Sequence, residues 1–251
     1  MDRIERTQIS LQTWGPTEQK ENEKQNAEFQ QITQRFLYGD VAHHGTLSET
    51  QRALIVLVAL TACQTWPSIG KYTEAALRVG AAPEEIEEAL IQCTPYVGME
   101  RVRCALDEVN HVFRAKGIRL PMENQGTVTE QTRLEKGLEV QRQIFGKESI
   151  DAMRASAPQE LQHIQAYLSA YCFGDFYTRK ALDLKMRELI TFCAICCLGG
   201  CEPQAKAHAE GNLRIGNTRE MMIQAVTQCL PFIGFPRALN AIACIDQVTL
   251  P

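Results

Sequence analysis

The chain has 251 residues, of which 45% are hydrophobic and 22% charged, with a formal net charge of −4. This balance is typical of a globular protein, and without a dense basic tract it argues against a nucleic-acid partner. The longest apolar run, Ala53 to Ala62, is far shorter than the roughly 20 residues that a membrane span needs. The N-terminus has no apolar core of the signal-peptide type, so we expect a cytoplasmic protein with no membrane partner.

In chain order, one helix of the first half is predicted to end near Gly80. The next is predicted to begin near Pro83, which is followed by two glutamates. Residues 117–129 contain Pro121 and Gly126 and lack helical periodicity. This stretch predicts a junction between two domains, residues 1–120 and 126–251. Thr132, followed by a glutamate three residues later, predicts a capping box that restarts the helical pattern.

The second half continues with helices. Residues 184–198 are apolar nearly all round and predict a buried central helix that Gly199 and Gly200 terminate. The next helix is predicted to run to Gly216, and Asn217 or Thr218 caps another. No stretch alternates with period two over enough residues to support a strand, so the predicted fold class is all-α.

The chain contains an internal repeat. Arg52 and its neighbours match Arg187 and its neighbours at a spacing of 135 residues, and Gly80 matches Gly216 at a spacing of 136. The second copy therefore carries one inserted residue, near Gly199. A match of this length indicates two tandem copies of one helical unit.

The two copies differ where reactive side chains stand. Glu188 corresponds to Ala53, Cys201 to Thr65, and His208 to Tyr72 by the same repeat spacings, while most framework residues agree. This contrast predicts one live site, in the second copy, and one degenerate site.

The chemistry of these residues leaves alternatives open. Cys201 and His208 are seven residues apart and would share one helix face, with the thiol at the helix start and Glu188 on the preceding helix. That set offers a nucleophile, a base and an orienting carboxylate. Equally, Glu188 could be half of a buried ion pair with Arg187, Cys201 an inert helix-start residue, and His208 a packed side chain. Arg187 and Arg237 recur in the first copy as Arg52 and Arg101, so they are predicted to be structural.

Ten cysteines in a chain without an export signal predict thiols rather than disulfides. Cys93, Cys104, Cys229 and Cys244 occur in apolar helical patterns and are expected to be buried. The cysteines at 193, 196, 197 and 201 fall in or beside a predicted helix, where successive side chains diverge by about 100°. We therefore expect no metal site.

Residues 182–189, 200–204 with His208, and 231–241 resemble the carboxymuconolactone decarboxylase family, which includes the alkylhydroperoxidase D proteins. The segment 231–241 is similar to the family's Tyr-x-Gly-Phe-Pro…Asn-Ala signature, with Phe232 in the Tyr place. The resemblance implies two tandem alkylhydroperoxidase D-like helical domains, a small-molecule substrate and a cofactor-free site at subunit contacts. It also implies a homo-trimer, because single-copy members form trimers or hexamers and a tandem chain would give six pseudo-equivalent units.

The resemblance does not transfer either family reaction intact. Alkylhydroperoxidase-type members use a C-x-x-C pair with a His and a Glu, and Gln204 stands here in the second Cys place. The decarboxylase branch keeps a His in the place of His208 but does not characteristically carry Cys201, and Gln228 replaces its other usual His. The leading hypothesis is a thiol-linked peroxidase-like activity with Cys201 as nucleophile, His208 as base and Glu188 as relay. The alternatives are cofactor-free decarboxylation or isomerisation of a small carboxylated lactone by His208 and Glu188, and a non-catalytic oligomeric scaffold.

Overall fold

A computed structural model describes residues 1–15 and 25–248, and these contain helices and no strand. The helices of the first copy are α1 (Arg3–Trp14), α2 (Ala27–Gln34), α3 (Glu49–Ala62), α4 (Trp66–Arg78), α5 (Pro83–Gln92), α6 (Thr94–Val97) and α7 (Met99–Ala115). Those of the second copy are α8 (Arg133–Phe145), α9 (Lys147–Ala155), α10 (Gln162–Tyr167), α11 (Leu184–Leu198), α12 (Glu202–Arg214) and α13 (Arg219–Asp246). Short π-helical segments, Arg35–Asp40 and Leu168–Tyr177, precede the central helix of each copy.

Local sequence signals set the ends of the central helices. Ser48 caps α3 by accepting a hydrogen bond from the Gln51 amide at 3.1 Å, and Asp183 caps α11 by accepting from Met186 at 2.7 Å. Helix α11 spans residues 184–198 as predicted and ends at Gly199, whose φ of 70° favours glycine. The capping box predicted at Thr132 is wrong. Its hydroxyl accepts a hydrogen bond from the Thr129 amide instead, closing a turn before α8.

The two copies share one hydrophobic core. Helices α3 and α11, apolar on nearly all sides, pack against each other at its centre. Around them the copies exchange elements, since α5 and α6 of the first copy pack on α11 and α13 of the second packs on α3. A site on the side of α11 that faces α5 and α6 is therefore bordered by both copies.

Helix α13 is long and apolar enough, by length and composition alone, to cross a membrane. Its backbone leaves the helical region at Gly234, where φ is 75° and ψ is 166°. The break leaves two shorter helical segments, each below the roughly 20 residues of a continuous span.

Three of the four cysteines predicted to be buried are buried, namely Cys93, Cys229 and Cys244. The prediction for Cys104 is wrong. It lies on the solvent-facing side of α7, although its sequence neighbours are partly apolar.

Candidate active site

The structure brings together two of the three candidate residues. Glu188 on α11 is fully buried, and its Oε1 lies 2.6 Å from Nδ1 of His208 on α12. His208 is itself only 8% exposed. A carboxylate at this distance fixes the orientation of the imidazole. Because Nδ1 faces the carboxylate, Nε2 is the ring nitrogen left for a substrate.

The other oxygen of Glu188 receives a hydrogen bond from a buried tyrosine. Tyr177 donates to Oε2 at 2.6 Å, and the Tyr96 hydroxyl lies 3.0 Å from that of Tyr177. The Cys172 thiol donates to the Tyr96 hydroxyl at 3.3 Å. Burial raises the pKa of both tyrosines well above their usual value, so both hydroxyls stay protonated. Glu188 is thereby held by donors at both oxygens.

Tyr96 comes from the first copy, and so does a second buried residue, Gln92. The Gln92 amide donates to Thr191 Oγ1 at 3.3 Å and accepts from Arg187 at 2.9 Å. Thr191 in turn lies 3.0 Å from the Tyr177 hydroxyl. The first copy therefore completes the polar surroundings of the second copy's carboxylate.

The ion pair considered from sequence, between Glu188 and Arg187, does not form. The side chains of adjacent helical residues diverge, and Arg187 pairs with Glu88 of the first copy at 3.0 Å, both being fully buried. Arg179 binds the same Glu88 carboxylate at 2.6 Å. Arg187 thus has the structural role predicted for it, and Glu188 is left to bind His208.

Packing around His208 limits its movement. The rings of Phe145 and Tyr96 meet the imidazole edge to face, with centroids 5.2 and 5.4 Å away. Gly211 makes room for the carboxylate, since a Cβ there would lie 2.8 Å from Glu188 Oε1. The amide of Asn212 donates to the backbone carbonyls of Glu188 and His208, at 3.1 and 2.8 Å. The imidazole is therefore preorganised.

Cys201 lies elsewhere. It is the half-buried residue just before α12, and its thiol donates to the Gly199 carbonyl at 3.5 Å. With Cys196 and Cys244 it lines a cavity of about 20 Å³ to which His208 does not contribute. Its backbone angles, φ −123° and ψ 33°, are not helical. Cys201 therefore stands outside the regular helix on which the shared face with His208 was predicted, and the cavity beside its thiol does not include His208 in its lining.

Comparison with known proteins shows the same two-copy organisation. The model of the Carboxymuconolactone decarboxylase family matches residues 27–110 and, separately, residues 162–247. The chain belongs to this family.

Two relatives of this carboxymuconolactone decarboxylase family member are informative. The 4-carboxymuconolactone decarboxylase of Acinetobacter baylyi is 22% identical over 121 residues, which cover 48% of this chain and 90% of that protein. A crystal structure from Burkholderia xenovorans LB400, provisionally assigned as a gamma-carboxymuconolactone decarboxylase subunit, is 17% identical with a TM-score of 0.54. The match covers 96% of this chain and 95% of that chain, so the fold is shared over nearly the whole length.

In this family member the first copy has a closed counterpart of the site. Tyr72 replaces His208 and lines a cavity of about 20 Å³ together with Trp14, Tyr38 and Arg52. Trp14 from α1 lines this cavity, whereas Trp66, the residue after Thr65, does not. The second copy contributes Gln228, the repeat partner of Gln92, so the exchange of residues between copies is reciprocal.

Sequence reasoning missed the buried hydroxyls of the site. The signal was available in the repeat, because Tyr177 corresponds to Ala42 and Thr191 to Val56, the same polar-to-apolar contrast as at Glu188. For Tyr96 the polar residue is in the first copy, and its repeat equivalent in the second copy is the apolar Phe232. From sequence alone this hydroxyl would be assigned to the first copy's site, and only the packing of α6 on α11 shows that it belongs to the second copy's site.

Within the described residues, no group of three or more His, Cys, Asp or Glu side chains is arranged to hold a metal ion.

Proposed function

We propose that this protein catalyses a cofactor-free decarboxylation of a small carboxylated lactone or a closely related acid, with His208 and Glu188 moving the proton. Family membership and the activity for which the Acinetobacter relative is named support the substrate class. The observation that carries the proposal is the 2.6 Å contact between Glu188 and His208, in a site that does not include Cys201.

The proposed step needs only a proton donor. The C–C bond to the substrate carboxylate breaks, CO₂ leaves, and the electron pair delocalises into the lactone carbonyl. His208 then donates the Nε2 proton to carbon, so that one carboxylate and one proton become C–H and CO₂. Glu188 holds the ring through Nδ1 during the transfer, and the proton is regained from solvent afterwards.

Tyr177 and Tyr96 act as positioning residues in this proposal. The Tyr177 hydroxyl donates to Glu188 Oε2 and the Tyr96 hydroxyl lies 3.0 Å from that of Tyr177, so the two hold the carboxylate in place. The buried setting strengthens each of these contacts, because the effective dielectric constant inside a protein is lower than in water.

The test is CO₂ release from 4-carboxymuconolactone and a panel of related carboxylated lactones. We expect His208→Gln to lower kcat by about 10²- to 10⁴-fold, the usual contribution of a positioned acid or base. His163→Ala, at an exposed histidine, is the matched control and should retain full activity. A His208→Gln variant as active as the wild type, or no CO₂ from any lactone, would contradict the proposal.

The thiol peroxidase hypothesis is the second candidate, favoured by the half-buried thiol of Cys201 at the start of α12. A hydroperoxide would oxidise this thiol to a sulfenic acid and leave as an alcohol. Cys196 or Cys244, which line the same cavity, would then form a disulfide with release of water, and a small dithiol supplied in the assay would reduce that disulfide to complete the turnover.

Cys201→Ser separates the two candidates, because the acid–base proposal predicts unchanged CO₂ release and the thiol hypothesis predicts loss of peroxide turnover. Alkylation rates give a second test. Exposure alone makes Cys104 the fastest-reacting cysteine. A Cys201 that reacts faster than Cys104 would indicate an activated thiol.

We also propose that the chain assembles as a homo-trimer. Large apolar side chains remain uncovered on the single chain, among them Phe235 at 62% and Leu239 at 59% exposure. Exposed apolar surface of this kind marks interaction sites. Sedimentation at micromolar concentration should give three times the monomer mass, and a stable monomer would refute the assembly.

A further inference from the structure

An open cleft of about 700 Å³ lies between the two copies, where the first turns of α3 and α11 meet. Its floor is apolar and includes Leu54 and Leu189, one from each central helix. None of its lining residues is Glu188, His208 or one of the tyrosines that hold them. The cleft is therefore separate from the proposed active site.

One buried polar group lining this cleft lacks a partner. Asn217 is 3% exposed, and its amide nitrogen donates to the Lys185 carbonyl at 2.9 Å and to Asn212 Oδ1 at 2.7 Å. Asn212 is itself oriented by donating to two backbone carbonyls. These acceptors fix which atom of the Asn217 amide is oxygen. That oxygen, Oδ1, accepts no hydrogen bond from the described residues, which is unfavourable for a buried acceptor.

A role in ending the helix does not account for the two asparagines. The backbone N–H of Asn217 closes the end of α12 by donating to the backbone carbonyl of Asn212 at 2.9 Å. In the first copy Ala81 bonds Ala76 in the same way at 3.0 Å. The backbone motif forms equally well with alanine, so the helix end does not require the asparagine side chains. Their role is therefore specific to the second copy.

A cation stands on the same side of the cleft. Lys185 lines it, is exposed, and forms no ion pair with the described residues, while its repeat partner is the neutral Thr50. The two acids nearby are already engaged, since Asp183 caps α11 and Glu85 accepts from the Ala82 amide. These two carboxylates keep their charge and oppose an anion, so the attraction comes from the Lys185 ammonium in the first turn of α11, where the helix dipole adds to it.

We infer that this cleft is a second binding site, for a small hydroxylated carboxylate. Its carboxylate would bind Lys185 at the start of α11, and its hydroxyl would donate to the unpartnered Asn217 Oδ1. From Asn217 the hydrogen bonds continue through Asn212 to the backbone carbonyls of Glu188 and His208. A ligand here is thus placed to act as an effector of that pair. The effector role, unlike the binding, rests on the proposed function.

Calorimetric titration of the full chain with malate and succinate tests the binding, because the two differ only by the hydroxyl. We expect malate to bind about 5- to 10-fold more tightly, the value of one hydrogen bond to a buried acceptor. Asn217→Ala should abolish the difference, since alanine is tolerated at this position of the first copy. Lys185→Met should weaken both ligands alike, and Lys206→Met, outside the cleft, should weaken neither.

Two further variants separate this site from the proposed active site. His208→Gln should bind malate as the wild type does, whether or not the decarboxylase proposal is correct. Malate should also shift the His208 imidazole resonances in NMR spectra of the wild type but not of Asn212→Ala. Equal affinity for malate and succinate, no binding of either, or loss of malate binding in His208→Gln would overturn the site. Malate binding without any shift at His208 would overturn the effector role alone.

Discussion

The buried carboxylate of Glu88 offers the sharpest test of how the two copies are joined. It is fully buried and neutralises Arg187, also fully buried, at 3.0 Å. It also binds Arg179, which is 21% exposed, at 2.6 Å. In Glu88→Gln the amide keeps the shape of the side chain but leaves the Arg187 guanidinium without a counter-charge. Arg179 can turn its charge towards solvent, whereas Arg187 cannot.

Removing one partner of a fully buried ion pair costs about 3–5 kcal/mol. For a chain of this size, each kcal/mol lowers the melting temperature by about 2–4 °C, so we expect a fall of roughly 6–20 °C. Differential scanning calorimetry and urea titration measure the change. Glu87→Gln, one residue away and only half-buried, is the matched control and should cost under about 1 kcal/mol. A Glu88→Gln variant as stable as this control would refute the inference that the pair stabilises the contact between copies.

Two further predictions concern the site and its surroundings. Gly211→Ala should lower CO₂ release without unfolding the chain, because its Cβ would lie 2.8 Å from Oε1 of Glu188, whereas Gly70→Ala, with its nearest atom at 3.6 Å, should leave activity unchanged. Stability should fall at alkaline pH, since burial raises the pKa of the Cys93 and Cys172 thiols to about 12 in the folded chain. Below a pH of about 9 both thiols are neutral in the folded and in the unfolded chain. Between about 9 and 12 they ionise only in the unfolded chain, and each then lowers the free energy of unfolding by about 1.4 kcal/mol per pH unit. Urea midpoints between pH 8 and 11 measure this slope, which Cys93→Ala should flatten; a slope that Cys93→Ala leaves unchanged would contradict the assignment.

Local pattern determined the helices and their repetition. The boundaries of α11 follow from a capping aspartate, a sequence that is apolar on nearly all sides of the helix, and a terminal glycine, all of which act within a few residues. The repeat shows that the first copy lacks the reactive side chains, because Ala53 and Tyr72 occupy the positions of Glu188 and His208. These conclusions need only short-range geometry and a comparison of the chain with itself.

The composition of the site was decided by tertiary structure. Tyr96 and Gln92 reach Tyr177 and Thr191 from the other copy, through an exchange of elements that no spacing within one copy encodes. The helical period likewise does not fix where the Cys201 thiol lies, because that residue precedes the first helical residue and its backbone angles are not helical.

Tertiary structure likewise decided which acid meets which base. Glu188 and Arg187 are neighbours in sequence, but adjacent helical side chains point about 100° apart. One therefore faces His208 on α12 and the other faces Glu88 on α5. Sequence identifies the charged residues of α11, and the packing of α5 and α12 on its two sides assigns their partners.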